Sequence, residues 1–469
     1  MMYRTPLLTL LLLSSLTGCS SHTDTESLPM QTASAEAPDK VLASLAPRWW
    51  ESFEDPVLNQ LITHALRDNL DLAAAIERVR EVRAQHNLLA SELYPQVGIA
   101  AQYGRSRTAQ ESTSTKYSYG VDMVWELDLF GRLKALRNEA GAELNAVHQD
   151  YLSLRLSLMA EVANSYLQYR LAQQLMEIAT QAGINQEQTA RVTRARLESG
   201  SANRFDLERI ESQLAITHAE IPTAQQQAQA ARYNLAYLLA SEQTRIDSLL
   251  AEPSPPSLRF SESALPQLLS MPAEVLRERP DVRAAEQRLR AADESLVATR
   301  AARFPQLTLS ALTLFEQGGA APWALTSQLF QPLLDFGRSG SRIEASDARR
   351  EQARLAYQQS LLQALREAHT SIQAYGQGIH RQTELDKATA AATRAVDLAR
   401  QQYQAGTVSM LEVLDAERSL FNVQRIQAQA NVDVALHWVA INRSLGLAPT
   451  QGAPGMETED GNVIPDQRT

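Results

Sequence analysis

The chain has 469 residues, and its 54 acidic and 44 basic side chains give a formal net charge of −10 at pH 7. The acids and bases alternate along the predicted helices and form no basic patch, so nucleic acid is not favoured as a partner. All 19 prolines lie outside the intervals 96–221 and 333–448, so both intervals can hold uninterrupted helices. A helix from Gly131 to Ser199 would be roughly 100 Å long, which excludes an ordinary globular domain.

The chain begins with the features of a secretory signal. Arg4 precedes the apolar run 7–13, and a small residue, Gly18, ends the segment, which predicts a signal peptide over 1–18. The only cysteine, Cys19, follows at once. This arrangement resembles a bacterial lipoprotein box and implies a covalent lipid anchor on Cys19; Ser20, where a retention signal would have aspartate, implies the outer membrane. Residues 19–56 would form a lipidated tether. An ordinary signal peptide with an incidental cysteine is the alternative.

The spacing of apolar residues changes once between 117 and 147. Over 117–130 they occupy every second position, which predicts a strand with one face toward lipid. From Leu133 onward they recur every three or four residues, which predicts a long helix with a narrow apolar seam. The strand residues predicted to face lipid are Tyr117, Tyr119, Val121, Met123, Trp125, Leu127 and Leu129. Asp122, Glu126 and Asp128 would line a lumen on the other face or pair with basic residues at the base of the sheet.

The same change from strand to helix occurs a second time. The segment 333–338 resembles 127–132, and Phe304-Pro305 repeats Tyr94-Pro95 at a similar offset, which indicates a duplicated unit. We predict repeats over 57–248 and 271–447, a linker over 249–270 and a flexible C-terminal tail over 448–469. Each repeat begins with a helix. The first then has strands 96–104 and 117–130 and long helices 131–199 and 203–240, and the second has strands 306–315 and 323–336 and long helices 337–404 and 409–446.

The four predicted strands have the composition of membrane-spanning strands. No apolar run after the signal reaches about 18 residues, the length that a transmembrane helix needs. The strands contain no Lys or Arg before their ends, as a lipid-facing surface requires. A small soluble sheet packed on helices is the alternative for 306–315 and 323–336, where alternation is weaker. Four strands cannot close a barrel, because membrane barrels need about eight. If they span a membrane, the protein must be an oligomer.

Several of these motifs together resemble the outer-membrane efflux proteins, the TolC-like channels, in the lipoprotein subgroup that serves RND-type pumps. The motifs are the lipoprotein box, Arg48-Trp49-Trp50, 281–286, Phe304-Pro305-Gln306, 129–132 with its echo at 336–338, 403–406 and 411–417. The resemblance implies a mainly α fold with a transmembrane β-barrel, in which a homotrimer contributes twelve strands, above a coiled-coil helical tunnel through the periplasm of a Gram-negative bacterium. It also implies outer-membrane lipid, a periplasmic adaptor protein and an inner-membrane RND-type transporter as partners. The implied function is passive conduction of drugs or other small toxic compounds.

The resemblance also implies a gate at the periplasmic tip. It makes Gly200 and Gly406 the tip turns between long helices, and it makes Asp415, Glu412, Tyr403 and Asp206 gate candidates. From the residues alone, Glu412 could be only a capping residue, because Ser409 and Glu412 have the spacing of a capping box. Where the family sometimes has an arginine after the turn this chain has Val408, which argues against an arginine-based lock at the tip; Arg209 or Arg204 could substitute for it.

No pattern in the sequence favours an enzyme. The eight histidines are scattered, a single cysteine cannot build a thiolate site, and no glycine-rich phosphate loop precedes a helix. We therefore expect no catalytic residue, no metal and no cofactor beyond the lipid on Cys19. Two other functions stay open at this point: the channel of a type I protein secretion system, which would share the fold, and a periplasmic coiled-coil adaptor, which would not duplicate the strand-to-helix unit.

Overall fold

The computed structural model describes residues 48–106, 114–200, 203–251, 274–316 and 323–446. The predicted signal peptide, Cys19, the tether up to residue 47, most of the 249–270 linker and the 448–469 tail lie outside these ranges. Among the described helices, none combines the length and the apolar character needed to cross a membrane.

The two predicted repeats are both present. The first contains a 3₁₀ turn Trp49–Phe53, α1 Pro56–Asp68, α2 Leu70–Ser91, β1 Gln96–Ser106, β2 Ser114–Leu127, α3 Arg132–Glu198, α4 Arg204–Leu238 and α5 Gln243–Leu250. The second contains α6 Glu274–Arg277, α7 Pro280–Ala301, β3 Gln306–Glu316, β4 Trp323–Phe330, α8 Arg338–Gln404 and α9 Met410–Ser444. The long helices α3 and α8 have 67 residues each, so each extends about 100 Å at the usual helical rise.

The four strands form one antiparallel sheet in the order β1-β2-β3-β4. Its central pair joins the repeats, with Tyr119 opposite Phe315 and Leu127 opposite Leu307. Because side chains alternate between faces along a strand, this register places Ile99, Tyr119, Phe315 and Leu325 on one side of the sheet, while Val124, Leu312, Leu314 and Phe330 lie on the other. The weak alternation of β3 and β4 remains in the structure: Leu307 and Leu309 lie on the same face as Leu127 and Trp125, but Leu312 and Leu314 of β3 and Phe330 of β4 lie on the opposite face.

Both strand-to-helix junctions are capped by an aspartate. The carboxylate of Asp128 accepts hydrogen bonds from the backbone N–H groups of Leu133 (3.1 Å) and Lys134 (2.8 Å). The carboxylate of Asp335 accepts from the N–H of Ser339 at 2.8 Å. Glu126 pairs with Arg132 at 2.8 Å. Glu126 is therefore paired with a basic residue at the base of the sheet, whereas Asp128 caps the N-terminus of α3.

The long helices pack side by side, and the main core lies between them. α3 packs against α2, α4, α7 and α9, while α8 packs against α7 and α9. The largest buried cluster surrounds the middle of α3 and includes Trp49, Leu58, Met159, Leu167 and Leu235. The N-terminus of α1 is fixed to α3, because Asp55 caps the N–H of Val57 and also accepts a hydrogen bond of 2.6 Å from the Tyr166 hydroxyl.

The structure moves several predicted boundaries. Strand β2 ends at Leu127, so Leu129 lies in the turn before α3 and not in the strand. Strand β4 ends at Phe330, six residues before the predicted end, because Pro332 cannot donate a strand hydrogen bond and the residues after Phe330 pair with no strand among the described residues. Trp49 and Trp50 are buried, so the folded part begins inside the predicted tether. Residues 249–250, predicted as linker, end helix α5.

Candidate functional site

Two glycines end the long helices at the same end of the molecule. Gly200 follows α3 with φ of +74°, and Gly406 follows α8 with φ of +75°. This left-handed conformation is accessible to glycine without a steric penalty. At Gly406 the N–H bonds to the Tyr403 carbonyl (3.0 Å) and the Thr407 N–H to the Gln402 carbonyl (2.9 Å), which is the Schellman arrangement that ends a helix.

The returning helices begin with capping residues. Asn203 precedes α4, and its side-chain oxygen accepts a hydrogen bond of 2.8 Å from the backbone N–H of Asp206. Before α9, the Ser409 hydroxyl donates to the Glu412 carboxylate. That bond, together with bonds from backbone N–H groups, lowers the pKa of Glu412 below its usual value. Glu412 therefore acts as a capping residue, and Asp206 lies in the first turn of α4, where a negative charge favours the helix dipole.

The two helical hairpins, α3–α4 and α8–α9, meet in one apolar cluster behind their turns. It contains Ala190 from α3, Ile210 from α4 and Met410, Val413 and Leu414 from α9, with Ala399 and Tyr403 of α8 packed against it. Four helices from both repeats therefore share one small core at the tip. Because the cluster is made of few residues, a change of side chain here can alter how the hairpins sit against each other.

Tyr403 joins the end of α8 to the end of α3. The guanidinium carbon of Arg196 lies 4.4 Å from the centre of the Tyr403 ring, which is a cation–π contact worth about 0.5–2 kcal/mol. The arginines expected to substitute for one at Val408 bind elsewhere. Arg204 pairs with Glu208 at 3.3 Å, and Arg209 lies over the Phe205 ring at 5.4 Å. Both contacts lie on the arginine's own helix, and a role of either arginine at the tip stays a prediction.

Asp415 lies on the exposed side of α9. It pairs with Arg418 at 2.7 Å, and both side chains are more than 60% exposed. Exposed pairs of this kind contribute at most about 1 kcal/mol. Within one chain, therefore, Asp415 is free to respond to charges brought near it.

The strongest charged contact at the tip involves a residue that the sequence analysis did not select. Glu417 has a side chain only 6% exposed. One carboxylate oxygen accepts from Arg400 Nε (3.0 Å) and Nη2 (2.8 Å) of α8 and lies 3.4 Å from the Thr189 hydroxyl of α3. The other oxygen is buried without a hydrogen-bond partner among the described residues. Glu417 thus connects three helices, and losing Arg400 would leave a buried charge unpaired.

A signal for Glu417 was present in the sequence. The buried positions of α9 begin Met410, Val413, Leu414, Glu417 and Phe421, at the spacing of one helical face. A charged residue inside such a face needs a partner. The partner itself could not be read from the sequence, because Arg400 and Thr189 belong to other helices.

Comparisons with known proteins identify the family. A model of the family described as outer membrane efflux protein matches residues 61–241 and 271–447, one segment for each repeat. The chain belongs to the outer membrane efflux protein family. The pyoverdine export outer membrane protein OpmQ of Pseudomonas putida is 31% identical, over 92% of this chain and 95% of its own. The probable outer membrane lipoprotein SilC of Salmonella typhimurium is 31% identical, over 80% and 83%. The solved outer-membrane channel OprN superposes with a TM-score of 0.78 at 30% identity, over 88% and 98%.

This outer membrane efflux protein has the TolC-like channel fold, so it is the outer-membrane channel component of an efflux pump and extends into the periplasm. The sheet and the helix tips lie at opposite ends of the long helices α3 and α8. Of the strand residues predicted to face lipid, Tyr117, Tyr119 and Val121 are exposed on the apolar face of the sheet. Trp125 is half-buried, since its indole N–H donates to the Leu93 carbonyl at 3.0 Å. Contact of these residues with lipid stays a prediction.

Proposed function

We propose that three copies of this chain form one channel that is closed at the hairpin tips and conducts drugs or other small toxic compounds. The observation that carries the proposal is the apolar cluster that joins both tips, with Tyr403, Asp415 and Glu417 around it. A channel that must stay closed when idle needs contacts at its narrow end that can be broken, and these are contacts between separate helices.

The edges of the sheet support association of copies. Strands β1 and β4 each pair on one side only within the described residues. Open strand edges are not stable in a membrane, since their backbone groups have no water to bond. Three chains of four strands would close the sheet into a twelve-stranded barrel, which exceeds the minimum of about eight strands.

The partners and the anchor belong to the same proposal. We propose that Cys19 carries the lipid that fixes the N-terminus to the outer membrane, as the name of the relative SilC suggests for that protein. A periplasmic adaptor protein would contact the tip, and an RND-type inner-membrane transporter would deliver the substrate. The relative OpmQ is named for export of pyoverdine, which supports small molecules as the substrate class.

Two kinds of contact would hold the tip closed. The Arg400–Glu417 pair and the Arg196–Tyr403 contact connect α8 and α9 to α3 inside each chain. Asp415 lies nine residues beyond the Gly406 turn, about 13 Å along the helix. In a trimer, three Asp415 carboxylates near the axis would attract cations, and a cation bound between them would hold the three chains together. The substitution Asp415→Ala would remove this ring of charge.

The test is single-channel conductance of the purified protein in a planar bilayer, after native mass spectrometry has established the oligomer. We expect a trimer of low conductance, and a several-fold rise for Asp415→Ala. Glu384→Ala is the matched control. Glu384 forms the same kind of exposed ion pair, with Lys387 at 2.7 Å, but it lies on α8 some 33 Å from the turn at 1.5 Å per residue.

The possible results separate the parts of the proposal. A rise for Asp415→Ala and none for Glu384→Ala supports both the channel and the gate. A conducting trimer that responds equally to both substitutions keeps the channel and overturns the role of Asp415. A monomer that does not conduct overturns the proposed association of three copies.

A further inference from the structure

A polar groove runs over helix α3 between its neighbours α2 and α7, near the end of α3 that adjoins the sheet. Its volume is about 470 Å³, within the range of about 300–1,000 Å³ that small-molecule sites occupy. Helix α3 forms the floor, and α2 and α7, which both pack on α3, form the walls. The whole lining therefore belongs to one chain. It includes His86, Arg137, Asn138, Gly141, Arg290 and Glu294.

The floor of the groove is open because it has a glycine inside a helix. A Cβ on Gly141 would lie 3.5 Å from His86 Nε2, so any side chain larger than a methyl group would extend into the groove. Glycine destabilises a helix interior relative to alanine. Gly141 therefore keeps space beside the imidazole at a cost in helix stability.

Two charged side chains of the groove have no ion-pair partner in the part of the chain that the structure describes. Arg137 is half-buried, and its Nη2 donates to the neighbouring Asn138 Oδ1 at 3.3 Å. Glu294 is half-buried as well. Arg290, by contrast, is exposed and pairs with Glu286 at 2.7 Å. One guanidinium and one carboxylate thus stay available to a ligand.

Negative charge is concentrated around Glu294. The nearby Glu139 of α3 is half-buried, and its pKa is raised mainly by burial and further by the charges of Glu143 and Glu294. A cationic group between such carboxylates would reduce their mutual repulsion. The part of the groove next to Glu294 is therefore suited to a cation.

The two available charges lie in a fixed order along the groove. Helix α3 runs away from the sheet and α7 runs toward it. Ser295 of α7 forms a hydrogen bond with Glu139 of α3, so Glu294 lies beyond the level of Glu139. Arg137 is therefore nearer to the sheet than Glu294 is.

The groove lies on the face of α3 that carries the start of the folded chain. Ala163 follows the groove residue Asn145 by 18 residues, which is five full turns, and belongs to the core that contains the N-terminal helix α1. One turn farther, Tyr166 donates to Asp55, the cap of α1. Under the proposed anchoring through Cys19, the N-terminal segment returns to the membrane along this face, so the groove lies outside the channel.

We propose that the groove binds a phosphoethanolamine group, with its phosphate on Arg137 and its ammonium on Glu294. A guanidinium can bind phosphate through two parallel N–H···O bonds, and a primary ammonium has three N–H donors for carboxylate oxygens. The order of the charges fits a phospholipid headgroup, in which the phosphate lies nearer to the acyl chains.

The position of the groove fits the same ligand. Arg137 lies about 8 Å from the start of α3 at 1.5 Å per residue, and the headgroup layer of a bilayer is about 5–8 Å thick on each side. If the sheet spans the membrane, Arg137 lies at the level of the headgroups. In this respect the inference rests on the proposed function, which places the sheet in the outer membrane.

The test compares phosphatidylethanolamine with phosphatidylcholine, whose quaternary ammonium has no N–H to donate. Native mass spectrometry of the purified full-length protein, with each lipid added in turn, measures the lipid bound per chain. We expect the wild type to bind phosphatidylethanolamine several-fold more strongly. Glu294→Gln should remove this preference, and Arg137→Gln should weaken the binding of both lipids several-fold.

The matched control is Arg78→Gln. Arg78 lies on α2 outside the groove and forms an exposed ion pair with Glu81 at 2.6 Å, so its loss should leave both lipid affinities unchanged. Circular dichroism checks that each variant is folded. A wild type that does not distinguish the two lipids, or a folded Glu294→Gln variant that keeps the preference, would overturn the proposal.

A second measurement needs no substitution and identifies the source of the ligand. The wild-type protein is titrated calorimetrically with glycerophosphoethanolamine and with glycerophosphocholine, which carry the headgroups without acyl chains. We expect both to bind far more weakly than phosphatidylethanolamine, which would identify the lipid as the ligand. Glycerophosphoethanolamine that binds as strongly as the lipid would support the same recognition and identify a free phosphate ester. Equal, strong binding of both esters would overturn the role of Glu294.

The groove and the channel can fail separately. A protein that prefers phosphatidylethanolamine but does not conduct in a planar bilayer would keep the groove and overturn the proposed channel. A conducting trimer without a headgroup preference would overturn the groove while the proposed channel stands.

Discussion

The helices α3 and α8 are counterparts in the two repeats and have the same length, but the chain buries them differently. Of 67 residues in each, 21 are buried in α3 and 8 in α8. The cause is position, since α3 packs along its length on helices of both repeats, whereas α8 packs mainly on helices of the second repeat. Helices in corresponding positions of the two repeats thus acquire different surroundings: α3 is central to the core of the chain, and α8 keeps most of its surface exposed.

The side chains that bind the C-terminal end of each repeat's last long helix also differ between the two repeats. In the first repeat, the Asn69 side-chain amide donates to the Leu238 carbonyl at the end of α4, at 2.9 Å. At the corresponding place in the second repeat, Arg279 donates to the Ser444 carbonyl at 2.6 Å and also binds Asp281 and Glu367. In the first repeat, where the apolar core is large, the neutral amide of Asn69 alone connects the short helix to the end of α4. Where the core is smaller, a charged group makes the same connection with more bonds.

The largest expected effect comes from truncating one leucine in each long helix. Leu167 of α3 is fully buried, so Leu167→Ala should cost about 2–5 kcal/mol of unfolding free energy through lost burial and a cavity. Leu362 of α8 is 69% exposed, so Leu362→Ala should change the unfolding free energy of the single chain by no more than about 0.5 kcal/mol. Denaturant titration followed by circular dichroism would measure both, and similar losses for the two variants would refute the proposed difference between the helices.

A smaller difference is expected at the repeat ends. Arg279→Ala removes bonds to two carboxylates and a carbonyl, so we expect a loss of about 3 kcal/mol, as for hydrogen bonds to charged groups. Asn69→Ala removes a helix cap and should cost about 1 kcal/mol. The same titration applies, with Arg279→Lys as a control that keeps the charge but not the fork of donors. Equal losses for Arg279→Ala and Asn69→Ala would contradict the charged connection.

The smallest effect concerns pH. Burial lowers the pKa of His148 on α3 and of His437 on α9 below the usual 6.5, and the Arg83 charge adds to the shift at His148. A lowered pKa means that the folded state favours neutral imidazole. This contribution to stability is complete above pH 6.5 and is lost as the pH falls through the lower folded-state pKa. We expect the melting temperature to fall on acidification from pH 7.

The control for that experiment is an exposed histidine. The double variant His148→Asn with His437→Asn should show a weaker dependence of melting temperature on pH between 7 and 5.5 than the wild type. His369 lies exposed on α8, so His369→Asn should retain the wild-type dependence. A double variant with an unchanged pH profile would show that these buried rings are not its source.

The sequence by itself determined the duplicated unit, the strand-to-helix junctions and the tip turns. These features depend on spacing and on local backbone preference: apolar period, the absence of proline, and glycine at a left-handed position after each long helix. For that reason the predicted long helix 131–199 and the observed Arg132–Glu198 agree within one residue at each end. The predicted boundaries are wrong where a neighbouring element determines the end of a strand, as at β4, which ends at Phe330.

Only the tertiary structure decided which side chains meet. Arg196 reaches Tyr403, and Thr189 and Arg400 reach Glu417, across helices whose sequences lie up to some two hundred residues apart. No local pattern encodes those distances, because they depend on how the helices are rotated and shifted against one another. The same reason explains why two similar helices, α3 and α8, could be recognised in the sequence while the difference in their burial could not.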